Sequence, residues 1–101
     1  MDKQHIIFMQ ESAAEAASLL HMIGNQHRLL TLCLLLEHGE LTVTELLEYV
    51  PLSQSALSQH LAKMREMELV TFRRESQTLY YRIDNPAVEK IISTLKTIFC
   101  P

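Results

Sequence analysis

The stretch that decides the fold is Leu-Ser-Gln-Ser-Ala-Leu-Ser-Gln-His-Leu at residues 52–61, which predicts a short helix with Ser53 as its N-cap. Apolar side chains recur there at helical spacing, while hydroxyl and amide groups occupy the other faces. A third helix of the chain is predicted just before it, capped by Thr42 and ended at Val50 by Pro51. Two short helices at this spacing are typical of a helix-turn-helix, whose second helix, the recognition helix, enters the major groove of DNA.

Two segments after the recognition helix are rich in β-branched and aromatic residues. Residues 69–74 and 78–83 predict antiparallel strands, and Glu75-Ser76-Gln77 predicts the turn between them. A β-hairpin in this position makes the helix-turn-helix a winged one. Because successive side chains of a strand face opposite sides, only one of Tyr80 and Tyr81 can face outward.

Three further helices surround this unit. The first is predicted over residues 12–23 with Ser12 as its N-cap, and the second follows Asn25 and is apolar nearly all round, as expected at the centre of a core. The last begins at Asn85-Pro86 and extends to Cys100 with an apolar stripe. The whole chain is therefore predicted to be a single, mainly α domain with a β-hairpin wing, in the order α-α-α-α-β-β-α.

Composition limits the class of protein further. The chain has 101 residues, 48% of them hydrophobic, with 2 Gly and 3 Pro, which fits one folded domain rather than a disordered segment. No apolar run approaches the roughly 18 residues that span a bilayer, and a signal-peptide pattern is missing. We therefore expect a cytoplasmic protein without a membrane partner, whose two cysteines are free thiols.

The net charge of −3 is unevenly distributed along the chain. Residues 53–82 carry five Lys or Arg against three Glu, a balance of +2, and the remainder carries −5. Phosphate binding favours a locally basic surface, and this one coincides with the predicted recognition helix and wing. The acidic total therefore does not oppose DNA binding.

Polar side chains near the start of the recognition helix can reach base edges or phosphates. Arg73 and Arg74 precede the wing turn and can meet phosphates, although one of them can instead pair with Glu75. Alternatively, Ser53 only caps its helix and the other polar groups form a solvated face. The predicted DNA-contacting residues are Ser53, Gln54, Ser55, Ser58, Gln59, His60, Lys63, Arg73, Arg74 and Gln77.

Three stretches carry a resemblance to a known family: residues 52–61, residues 73–83, and Arg-Leu-Leu-Thr-Leu-Cys-Leu-Leu at residues 28–35. They resemble the ArsR/SmtB winged-helix repressors over almost the whole chain. Cys33 together with the terminal Phe-Cys-Pro at residues 99–101 is most similar to the branch of HlyU, BigR, YgaV and SqrR, which senses sulfide-derived or oxidant species. The resemblance implies double-stranded DNA with a near-palindromic operator as partner, and a homodimer through the first and last helices, whose apolar stripes also favour it.

The chain departs from the family pattern at two positions. The family usually has Gly after the recognition helix and in the wing turn, where this chain has Glu68 and Ser76. If both backbones stay left-handed, each residue costs about 1 kcal/mol relative to Gly. Alternatively, the turns differ from those of the family.

Two kinds of effector site compete. The family's metal sites need Cys-x-Cys in the third helix, where Thr42-Val43-Thr44 stands, and His in the last helix, which has none. We therefore predict no metal and no cofactor, with a zinc ion held by Cys33, Cys100 and a borrowed His as the remaining alternative. The resemblance implies that the second and last helices lie side by side. We accordingly predict that Cys33 and Cys100 form a disulfide or polysulfide switch operated by reactive sulfur species or an oxidant.

An enzyme is not expected, because the sequence has no Gly-rich phosphate loop, no His-Glu-x-x-His motif and no Cys beside a base defined by sequence. The favoured function is a sequence-specific DNA-binding transcriptional regulator of the repressor type, whose operator affinity changes with oxidation or persulfidation of the two cysteines. Two alternatives stay open: a metal-responsive or ligand-independent regulator, and a protein-interaction winged helix without DNA binding.

Overall fold

The structure, a computed structural model, describes residues 2–100. Within this range the predicted order of helices and hairpin strands is confirmed, and one short strand is added before the third helix. The elements are α1 (Lys3–Ile23), α2 (Gln26–His38), β1 (Leu41–Thr42), α3 (Val43–Leu47), α4 (Gln54–Glu66), β2 (Val70–Glu75), β3 (Thr78–Ile83) and α5 (Pro86–Phe99).

Helix α2 lies at the centre of the core, as its apolar character predicts, and packs against α1, α5 and β3. Its one buried polar side chain among the described residues, Thr31, donates a hydrogen bond to the carbonyl oxygen of His27 at 2.7 Å. That bond removes the cost of burying a free hydroxyl. The core is formed by apolar side chains of all five helices and of the sheet, including Ile23, Leu32, Leu35, Leu46, Leu57, Leu61, Met64, Val70, Val88 and Ile92.

Four of the predicted helix caps are confirmed. Asn25 and Asn85 each accept hydrogen bonds from two backbone amides of the first turn that follows, and Ser53 accepts one from Ala56 at 3.1 Å. Thr42 and Glu45 form a reciprocal capping box, with bonds of 3.1 and 2.9 Å. The starts of α2 to α5 therefore follow from local side-chain chemistry.

The prediction for the first helix was wrong at its start. Helix α1 begins at Lys3, nine residues before the predicted cap Ser12, and is capped by Asp2, whose Oδ1 accepts from the amide of His5 at 2.7 Å. The added half of α1 has no buried face, so its sequence shows no 3.6-residue apolar period that could mark it as helical. Its exposed apolar side chains are Ile6, Ile7, Phe8 and Met9.

The third helix is shorter than predicted, because α3 ends at Leu47 and residues 48–50 continue as turns. The strand β1 was not predicted, since two residues are too few to show alternation. It pairs antiparallel with β3, where Leu41 lies opposite Tyr81, and completes a sheet in the order β1-β3-β2. This pairing fixes the base of the wing to the helix-turn-helix.

Both positions where the chain departs from the family's glycines keep the left-handed backbone. Glu68 has φ of 61° and Ser76 has φ of 57°. The turns therefore have the backbone conformation that favours Gly, and each of the two residues costs about 1 kcal/mol relative to Gly. Among residues 2–100, no helix is both long and apolar enough to cross a membrane.

Candidate DNA interface and thiol pair

One face of helix α4 packs against the core, and the opposite face is exposed to solvent. Leu57, Leu61 and Met64 are fully buried and fix the rotation of the helix against the core. The side chain of Ser53 accepts the hydrogen bond from the Ala56 amide that caps the start of α4. The predicted contact residues that lie exposed on α4 are Gln54, Ser55, Ser58, Gln59 and Lys63.

His60 lies on the packing side of α4. It is half-buried, and its Nδ1 accepts a hydrogen bond of 2.8 Å from Nε of Arg28 on α2. Arg28 also donates through Nη1 to the carbonyl oxygen of Met22 at 3.1 Å, which ties α4, α2 and the end of α1 together. Burial lowers the pKa of His60 below its ordinary value, and the Arg28 charge lowers it further. His60 therefore joins helices, and its predicted contact with DNA stays a prediction.

Arg73 of the wing forms ion pairs with two acidic side chains, Glu40 and Glu75. Its Nη2 lies 2.7 Å from a carboxylate oxygen of Glu40, its Nε contacts both oxygens of that carboxylate at 3.1 Å, and its Nη1 lies 2.8 Å from Glu75. The guanidinium also lies over the ring of Tyr80, 4.2 Å from its centroid. The hydrogen bonds from Arg73 lower the pKa of Glu40 below its usual value. The pairing with Glu75 was anticipated, whereas Glu40 was not.

Arg74 follows on the opposite face of β2, since side chains alternate along a strand. It is exposed and takes part in no ion pair within residues 2–100. Gln77, in the wing turn, is exposed as well. Of the two tyrosines, Tyr81 faces the core and packs edge-to-face on Phe72 at 5.4 Å, as the alternation requires.

The two cysteines are free thiols that line one cavity. Cys33 is half-buried in the middle of α2, and Cys100 is the exposed C-cap of α5. Their cavity has a volume of about 240 Å³, and its walls are Leu29, Cys33, Leu95, Lys96, Phe99 and Cys100. The fold thus brings together two thiols that are 67 positions apart in the chain.

The charges around Cys33 act in opposite directions. Burial raises the pKa of the Cys33 thiol, and Cys100 and Glu37 add to this, while Lys96 lowers it. The ammonium of Lys96 lies 3.9 Å from the carboxylate of Glu37. The net effect is a raised pKa of the Cys33 thiol, which disfavours the reactive thiolate, so the local charges bear on its reactivity.

The described residues offer no group of three or more His, Cys, Asp or Glu side chains arranged to hold a metal ion. A zinc ion at the cysteine pair needs a third ligand, and the cavity walls contain no imidazole. Thr42, at the position of the family's Cys-x-Cys motif, uses its hydroxyl to cap α3. The donors present therefore do not fit either of the family's metal sites.

Three residues of these sites were missed from sequence. Arg28 and Glu40 contact partners 32 and 33 positions away, and no local pattern marks them. Lys96 had a usable signal, because it precedes Cys100 by four residues and so shares a helix face with it.

Comparison with known proteins agrees with this architecture. The model of the family described as "Bacterial regulatory protein, arsR family" matches residues 25–71. The HTH-type transcriptional regulator YgaV of Escherichia coli (strain K12) is 44% identical over 92% of this chain and 94% of its own. The structure of reduced HlyU from Vibrio cholerae N16961 has a TM-score of 0.87 and 43% identity, covering 92% and 97%. The transcriptional repressor BigR from Xylella fastidiosa has a TM-score of 0.81 and 36% identity, covering 91% and 90%.

Proposed function

Because the chain belongs to the ArsR family of DNA-binding bacterial transcriptional regulators, we propose that it is a repressor switched by reversible oxidation or persulfidation of Cys33 and Cys100. The observation that carries the switch is the cavity that both thiols line at the contact of α2 with α5. The similarity of the chain to HlyU and BigR, which share its fold, is consistent with the proposed switch.

We propose that α4 reads the operator and that the wing contacts its backbone. The exposed amides and hydroxyls of Gln54, Ser58 and Gln59 have the chemistry to distinguish bases in the major groove. Arg74, at the side of the wing, supplies a charge for phosphate that no acidic neighbour within residues 2–100 neutralises. This division assigns specificity to α4 and general affinity to the wing.

A homodimer through α1 and α5 belongs to the same proposal. Ile7 and Phe8 of α1 are 53% and 68% exposed, and Ile98 and Phe99 of α5 are 62% and 74% exposed. Apolar surface of this extent is favourable to bury against a second copy. The dimer would hold its two recognition helices one turn of DNA apart, about 34–36 Å, and so match a near-palindromic operator.

The chemistry starts at the more accessible thiol. The Cys100 thiolate attacks the sulfane sulfur of a persulfide RSSH, giving a Cys100 persulfide and releasing the thiol RSH. The Cys33 thiol then loses its proton and attacks the inner sulfur as the thiolate, so that a Cys33–Cys100 disulfide forms and hydrosulfide leaves, which takes up a proton as H₂S. A second donor that reacts before this closure leaves an extra sulfur atom in the bridge. Both products link α2 to α5.

Such a link is expected to act on DNA binding through α2. This helix carries Cys33 and also Arg28, whose hydrogen bond to His60 holds the recognition helix. A shift of α5 against α2 would also change the dimer contact and hence the distance between recognition helices. A tenfold loss of affinity needs only about 1.4 kcal/mol of difference between the two states.

The test measures binding of the reduced protein to a duplex selected from a random library, before and after treatment with glutathione persulfide. We expect at least a tenfold loss of affinity for the wild type and none for C33S/C100S. Peptide mass spectrometry should find the cysteines joined, with the loss of two hydrogens or with added sulfur.

Three outcomes contradict the proposal. An equal response of C33S/C100S to the persulfide would remove the switch from the cysteines. Equal affinity for selected and random duplexes, independent of salt, would instead favour a winged helix that binds protein. A reduced protein purified with stoichiometric zinc would favour the metal-responsive alternative.

A further inference from the structure

The contact between α2 and α5 pairs a thiol with a charge on each helix. Cys33 and Glu37 lie one turn apart on α2, and Cys100, the C-cap of α5, lies one turn after Lys96. Residues four apart share a helix face, so the two thiols and the two charges meet at one contact. Lys96 lines the same cavity as both cysteines, and its ammonium lies 3.9 Å from the carboxylate of Glu37.

We propose that Lys96 and Glu37 set the reactivity of the thiol pair in opposite directions: Lys96 promotes attack by the cysteines, and Glu37 restrains it. The inference rests on the proposed function, because it concerns the same two thiols. Both residues act as positioning residues through their charge and take no part in bond formation.

The promoting role of Lys96 follows from its surroundings. Among the described residues that line the cavity, only Lys96 carries a charge, and Leu29, Leu95 and Phe99 are apolar. Its side chain is 29% exposed, so water screens its ammonium only in part. Since a thiolate is the attacking species and a cation stabilises it, the ammonium favours the reactive form. The Lys96 charge accordingly opposes the rise that burial causes in the pKa of Cys33.

The restraining role of Glu37 has two parts. Its carboxylate repels a thiolate on Cys33 and raises the pKa of that thiol. It also attracts the ammonium of Lys96, although 3.9 Å is the length of a loose ion pair, and its side chain is 63% exposed. Among residues 2–100, the titratable or charged groups that act on Cys33 are Lys96 on α5, Cys100 at its C-cap and Glu37 on α2. Removing the charge of Glu37 should therefore have the opposite effect to removing that of Lys96.

The experiment measures the rate of alkylation by iodoacetamide from pH 6 to pH 10, with the two cysteines resolved by peptide mass spectrometry. We expect K96Q to slow the reaction of Cys33 at pH 7 by about threefold, the effect of a partly screened charge, and to raise its apparent pKa. E37Q should accelerate the reaction by a similar factor and lower that pKa. K96R, which keeps the charge, should react like the wild type.

The matched controls are K90Q and E89Q, which remove charges from exposed positions of α5 outside the cavity. Neither should change the reaction of Cys33. Changes of the same sign in K96Q and E37Q would overturn the proposal, because a loosened contact would expose the thiol in both variants. Rates equal to those of K90Q and E89Q would overturn it too. Alkylation does not involve DNA, so these outcomes stand whether or not oxidation changes operator binding.

Discussion

Glu40 is expected to limit the DNA affinity of the wing, and E40Q should increase it. In the free protein the guanidinium of Arg73 is held by Glu40 at 2.7 and 3.1 Å and by Glu75 at 2.8 Å. Contact with a phosphate would require it to leave or share these partners. E40Q replaces the stronger partner with a neutral one, so that Arg73 gains the freedom to contact DNA.

The size of the effect follows from counterion release. Each phosphate that a cation neutralises adds about 0.9 to the slope of log K against log salt concentration. One released Arg73 in each protomer should therefore steepen the slope by up to about 0.9 per protomer. Between 50 and 200 mM salt, this is an additional loss of affinity of roughly threefold for each contact.

The assay is a salt titration of duplex binding by fluorescence anisotropy. E89Q is the matched control, because it removes one negative charge from an exposed position on α5 that belongs to no ion pair within residues 2–100. We expect E40Q to steepen the slope more than E89Q does, and R74A to flatten it more than R73A does. The reasoning is refuted if E40Q and E89Q have the same slope while R73A and R74A lose equally.

Three further predictions concern the turn, the recognition helix and its packing. Ser76→Gly should raise the free energy of unfolding in urea by about 1 kcal/mol, because Gly adopts the left-handed backbone of the wing turn without strain. An unchanged or lower value would contradict this. Gln54→Ala or Ser58→Ala should cost about 1–3 kcal/mol at one operator position, whereas Arg74→Ala should weaken all duplexes alike. Losses that are uniform across duplexes for both types would reverse the assignment. The lowered pKa of His60 means that the neutral ring stabilises the fold above its ordinary pKa, and this is lost as the pH falls through the folded value. Between pH 8 and pH 5 the free energy of unfolding should therefore fall more for the wild type than for H60Q, and parallel curves would exclude this role.

The parts of the fold that could be predicted obey local rules. The caps at Asn25, Thr42, Ser53 and Asn85 need only a side chain that reaches an amide two or three residues away. The recognition helix shows its buried face as a period of apolar residues. The first helix was predicted too short because this period exists only where one face of a helix is buried. Residues 3–18 of α1 lie exposed along their whole length.

The candidate sites divide in the same way. That the polar positions of α4 would be exposed followed from the spacing of the apolar ones. That Cys33 and Cys100 would meet followed from the family resemblance, since nothing in the spacing of the two cysteines requires it. The ion pair between Arg73 and Glu40 could not be predicted, because it depends on β1. This strand of two residues places Glu40 beside the wing.

The long-range contacts place the proposed thiol switch and the support of the recognition helix on the same helix, α2. Arg28 and Cys33 lie five residues apart on α2, which is about 7.5 Å along the helix axis. Arg28 holds the recognition helix through His60, and Cys33 faces α5 across the cavity. A bridge to Cys100 would therefore act on the same rigid helix that supports α4, within two turns of the supporting contact. In the proposed switch, the stretch at residues 28–35 would join both functions, because a rotation or shift of α2 would carry a change at the thiols to the contact that supports α4.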